Sequence, residues 1–102
     1  GLGLGSSGWV ERLERFRKGR DLHLRGLARE AAGEREAAVE TYIASAAVTP
    51  EYTGGYAQAV LVASAFAREN PGLARRILER LEKVRPEERL AGDLLRRLAA
   101  GG

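Results

Sequence analysis

Residues 3–8 read G-L-G-S-S-G, which matches GxGxxG in letters and is followed at once by helix-favouring sequence. That glycine pattern cradles a pyrophosphate when a strand delivers the chain to the first glycine and a helix N-terminus takes over after the last. Only Gly1 and Leu2 stand ahead of Gly3, and no later segment alternates as a strand must. The letters lack the elements that make them a nucleotide site, so residues 1–8 are expected to be a flexible lead-in, a linker or a tag remnant.

The other chemistry-bearing residues are equally isolated. His23 is the only histidine, and Glu30, seven positions on, is two helical turns away. A general base needs an orienting partner and a metal site needs several ligands, so His23 reads as a surface or groove residue. Ser6, Ser7, Ser45 and Ser64 have no histidine-plus-acid setting for nucleophilic attack. Glu34, Glu36 and Glu40 read as solvated charges along a helix face, and there is no cysteine for thiolate chemistry, disulfides or a Cys-based metal site. The expectation is no catalytic residue, no metal and no cofactor.

One stretch has a charge signature. Residues 9–20, WVERLERFRKGR, hold Arg12, Arg15, Arg17, Lys18 and Arg20 against Glu11 and Glu14, and so carry the whole formal net charge of +3; the remainder sums to zero. A helix with Trp9 and Phe16 on one side and cations around them can lie on an anionic membrane, through Trp9, Arg12, Phe16 and Arg17. It can also pack Trp9, Leu13 and Phe16 on the domain as a cap and leave the arginines in water, which is the favoured expectation. No recognition motif favours nucleic acid.

These residues belong to a helical chain. At 102 residues, 44% hydrophobic, with one Trp, three Tyr and two Phe, it is one domain built mainly from Ala, Leu, Arg and Glu. The absence of methionine even at position 1 makes it read as a piece of a longer protein. Its longest apolar run, Ala59–Ala63, is far too short to span a bilayer.

Five helices are expected. The first, one long helix or two in line, capped by Ser6, Ser7 or Gly8, carries Trp9, Leu13, Phe16, Leu24 and Leu27 and ends at Gly33, with Gly19 able to kink or break it. A second runs from Glu34 to Pro50. EYTGG then turns the chain, because Gly54 and Gly55 are costly in a helix interior. A third, YAQAVLVASAFARE, is apolar nearly all round and belongs in the middle, covered on both sides. Asn70 caps a fourth, with Pro71 in its first turn and Leu73, Ala74, Ile77, Leu78, Leu81 and Val84 as its stripe. Pro86 opens a fifth with Leu90, Leu94, Leu95 and Leu98. Short connections make these antiparallel hairpins.

GEREAAVETYIASAAVTP and ENPGLARRILERLEKVRP align on closing prolines 36 residues apart, near the roughly 34-residue period of helix-turn-helix repeats. The chain resembles the tetratricopeptide repeat (TPR) family over about two-thirds of its length. In a first unit of about 19–50, Gly26 and Ala28 match the family's small residues on the first helix and Gly33 its turn glycine. Ala38 matches its second-helix alanine, Tyr42 its aromatic and Pro50 its terminator. The second unit, about 54–86, keeps Ala74, Val84 and Pro86, with Leu78 at the aromatic position and about two extra residues; Arg25 replaces a usual leucine. Residues 87–99 would be a C-terminal capping helix in a single domain of 9–100.

The resemblance implies a TPR-like stack of antiparallel hairpins whose first helices line a concave face that binds protein or peptide. Arg20, His23, Leu27, Glu30, Tyr56 and Phe66 are the implied groove residues. The family's carboxylate clamp needs asparagines that are missing here, since the one Asn caps a helix. Residues 25–59 also resemble the repeat tails of large bacterial spermidine synthase-like membrane proteins, without any residue of an aminopropyl-transfer site. The expectation is a non-catalytic interaction or scaffolding module of a larger, cytoplasmic protein. The alternative is a regulatory or docking tail of a bacterial, membrane-associated enzyme, and self-association into a homodimer is the third reading.

Overall fold

The computed structural model describes residues 2–101, and side chains for residues 8–101. They form five helices and no strand: α1 (Leu2–Ala31), α2 (Arg35–Val48), α3 (Gly54–Phe66), α4 (Pro71–Val84) and α5 (Arg89–Gly101). Helix α1 is continuous through Gly19 and also through residues 2–8, where a lead-in and a cap at Ser6–Gly8 were expected. Propagating an established helix costs far less than nucleating one, which lets α1 run through glycines that would not start it. The glycine motif of residues 3–8 therefore has no loop; the side chains of residues 3–7 lie outside the described ones.

Gly33 ends α1 as its spacing suggests. It adopts φ +84°, while its N–H donates to Glu30 O at 3.0 Å and that of Glu34 to Arg29 O at 2.9 Å. This is the paired-bond C-terminal motif that needs a left-handed residue. Gly33→Ala is expected to lower stability by about 1–2 kcal/mol through that backbone strain, read as a lower urea midpoint with an unchanged slope.

Facing residues establish the topology. Gly26 lies against Tyr42 and Gly19 against Ser45, so α2 runs antiparallel to α1. His23 lies against Gly54 and Glu30 against Gln58, so α3 runs parallel to α1. Helices α4 and α5 pair antiparallel, with Gly92 at Glu82 and Leu98 near Pro71. The result is an all-α stack of antiparallel hairpins closed by a fifth helix, as expected. Asn70 caps α4, its Oδ1 accepting from Leu73 N–H at 3.2 Å with Pro71 following. The core gathers Val39, Tyr42, Ile43, Val60, Ile77, Leu78 and Leu81 from α2, α3 and α4.

Three local expectations fail for tertiary reasons. Gly54 and Gly55 begin α3 instead of forming a turn, because a Cβ on Gly54 would sit 2.5 Å from His23 Nδ1, and one on Gly55 2.5 Å from Ser45 Cβ. Close approach of three helices outweighs their poor helix propensity. Pro86 lies between α4 and α5 without opening α5; Glu88 N–H bonds back to Arg85 O at 3.1 Å and the helix starts at Arg89. Finally, α3 buries Tyr56, Ala59, Val60, Val62 and Ala63 but leaves Leu61 61% exposed, so it is covered on less than its whole circumference.

The repeat extends further than the aligned prolines indicate. Gly19, Gly55 and Ala91 recur at the same 36-residue spacing, and all three are buried. Helix α5 thus occupies the place of a third first-helix, packing its small face on the hairpin before it.

Candidate interaction surface

The face shared by α1 and α3 is built around an aromatic and polar row. Phe16 meets Tyr52 edge-on, with centroids 5.1 Å apart. His23 Nδ1 lies 2.7 Å from the Tyr52 hydroxyl, and its ring is edge-on to Tyr42. Tyr42 donates to Glu30 Oε1 at 2.6 Å, and Gln58 Nε2 reaches the same oxygen at 3.5 Å. Burial of the Tyr42 hydroxyl and the adjacent Glu30 carboxylate push its ionisation far above the ordinary tyrosine range. On the buried side, Ser45 Oγ donates to Gly19 O at 2.6 Å and seals α1 onto α2.

These contacts sort the implied groove residues. Arg20 is exposed, 3.6 Å from Asp21, and Leu27 is also exposed. His23 and Glu30 are half-buried, and His23 Nδ1 and Glu30 Oε1 are engaged in holding α1 to Tyr52 and to α2. Tyr56 is not available to a partner: it is 5% exposed, and its hydroxyl accepts from Ala91 N–H of α5 at 3.0 Å. Phe66 is half-buried at the end of α3, under the Arg35 guanidinium at 5.2 Å. There it borders a cleft of about 430 Å³ between α2 and α4, whose floor holds Val39, Leu73 and Ile77. Glu40 and Arg80 bridge the same two helices with a paired ion contact, which holds the Glu40 carboxyl below its usual range.

His23 carries the clearest pH signature. Burial lowers its pKa from the ordinary 6.5, and its Nε2 has no hydrogen-bond partner among the described residues. Between the lowered folded value and 6.5 the unfolded chain binds the proton more tightly. Stability therefore rises with pH across that window and is lost as pH falls below 6.5. Thermal midpoints measured from pH 7.5 down to 5 are expected to fall in the native chain and stay level in His23→Gln.

The cap expectation fails at Trp9. Trp9 is 59% exposed, Val10 and Phe16 are exposed too, and Leu13 is only half-buried. Helix α1 has 30 residues against 14 in α2, so at about 1.5 Å per residue it outruns its partner by some 20 Å. Among the described residues no helix faces the Trp9 end. Arg12 and Arg17 are likewise exposed. Among the described residues, Trp9, Val10, Phe16, Leu24 and Leu27 all stand exposed on α1, against Leu61 on α3 and Leu90 on α5.

Tyr52 and Gln58 join α1 to α3 and the turn before it, and Ser45 joins α1 to α2, though none of the three stands out in the sequence as a site residue. Tyr52 lies in a turn and Gln58 interrupts an apolar helix, which was the available signal for the latter. Among the described residues no three His, Cys, Asp or Glu side chains gather as metal donors, and no helix is long and apolar enough to cross a membrane. No family model matches the chain, and no curated protein or solved structure is matched by it. The fold and surface together define a class, an all-α helical-hairpin stack with its exposed large apolar side chains concentrated on one helix.

Proposed function

We propose that the chain is a non-catalytic, TPR-like protein-interaction or scaffolding module of a larger cytoplasmic protein. The observation that carries this is the collection of exposed large apolar residues on α1, where an apolar surface invites a protein partner. Selection of peptides from a random displayed library tests it. Enriched peptides are expected to bind the native chain and to lose binding to Leu27→Arg, an exposed position whose change leaves the core intact. Peptides that bind both forms alike, or no enrichment, would overturn it.

A second reading is favoured by the exposure of Trp9: a docking tail of a bacterial, spermidine synthase-like membrane enzyme that touches an anionic bilayer through Trp9, Arg12, Phe16 and Arg17. Trp9 is the only tryptophan, so its emission has one source. A blue shift on anionic but not neutral vesicles supports the tail; an unchanged spectrum removes it.

A further inference from the structure

The outward side of α1 carries a seam. Val10, Leu13, Arg17, Arg20, Leu24 and Leu27 follow one another at steps of three and four residues, the spacing that lets a second helix lie alongside. Gly19, His23 and Gly26 face α2, α3 and the turn between them, from another side of the helix. Apart from half-buried Leu13, every seam residue is exposed. The repeat spacing sets these positions against buried ones on α3. Arg20, Leu24 and Leu27 correspond in α3 to Tyr56, Val60 and Ala63, all buried, and α5 reaches Tyr56 through Ala91 N–H. On α3 these positions are buried; on α1 they are open.

Charge selects the occupant. Apolar pairs lie at the two ends of the seam and two guanidiniums at its centre. A second copy of the chain pairing antiparallel would bring the arginines of both copies together, and parallel pairing would set Arg17 against Arg17. Residues 9–20 are net positive as well, so self-pairing is opposed. A bilayer fits less well, because Arg17 and Arg20 interrupt the strip that would be buried instead of flanking it. We infer that this seam binds an amphipathic helix of a partner protein whose contact line is apolar at both ends and acidic at its centre. This names the partner class for the interaction function proposed above and rests on it.

Two labelled synthetic helical peptides test the inference, identical except for two Glu or two Lys at the central contact positions. Fluorescence anisotropy with the native chain is expected to show the Glu peptide binding at least about tenfold tighter, an advantage that shrinks in high salt. Arg17→Glu/Arg20→Glu, two exposed changes, is expected to reverse the preference while the circular dichroism spectrum stays unchanged. Equal binding, no binding, or an unreversed preference would overturn the seam. A concentration-dependent dimer that blocks the peptide, or a Trp9 blue shift on anionic vesicles that the Glu peptide does not prevent, would reassign it to self-association or to a membrane. Library peptides that lose binding to Leu27→Arg yet lack acidic centres would sink this inference while sparing the interaction function; failure of both experiments removes the function too.

Discussion

Tyr42→Ala is expected to cost about 3–5 kcal/mol, the range for deleting a large buried aromatic ring. A domain of this size has about 5–15 kcal/mol in all, so the variant should lose much of its cooperative unfolding transition at 37 °C. Tyr42 is fully buried and sits where three helices meet. Its ring fills the space over Gly26 and meets His23 in a T-shaped contact, and its hydroxyl reaches Glu30. Tyr42→Phe keeps the ring and removes only the hydrogen bond, for about 1–2 kcal/mol.

A double-mutant cycle separates packing from the rest. A Cβ at Gly26 would collide with the Tyr42 ring, lying 2.6 Å from Cδ1. In the native background Gly26→Ala therefore sets an overpacking cost of about 1–3 kcal/mol against a helix-propensity gain of about 1 kcal/mol. Once Tyr42 is alanine the obstacle is gone, and Gly26→Ala should stabilise the chain. Urea denaturation of the four proteins reads the coupling. Additive effects would mean that the ring and the glycine do not fit each other as described.

Leu81→Ala is the second large effect, at about 2–5 kcal/mol. Leu81 is 0% exposed on α4 and belongs to the cluster that joins α2, α3 and α4. Its loss leaves a cavity that neighbours in a stack of short helices can close only in part. Leu61→Ala removes the same atoms from a largely exposed site on α3 and should change stability by less than about 0.5 kcal/mol. Similar losses at the two positions would contradict the placement of the core.

Helix content, the Gly33 stop, the Asn70–Pro71 start and the apolar stripe of α4 were all legible in the chain, because each depends on interactions within about one or two helical turns. Capping bonds, left-handed glycine and 3.6-residue periodicity carry their own signals. The 36-residue register is legible too, through its prolines and, in retrospect, through Gly19, Gly55 and Ala91. What the residues by themselves determined was therefore a chain of helices with short connections and a repeating period.

Packing between helices decided the rest. Gly54 and Gly55 look like turn residues by propensity, yet three helices converge on them and convert the lack of a side chain into an advantage. Tyr56 looks like a groove aromatic until α5 lands on its hydroxyl. Trp9, Leu13 and Phe16 read as an inward stripe, but whether a stripe is buried depends on how far its partner helix extends, and α2 is too short to reach Trp9. An amphipathic pattern records that a face prefers to be covered; only the lengths and directions of the neighbouring helices decide which faces are.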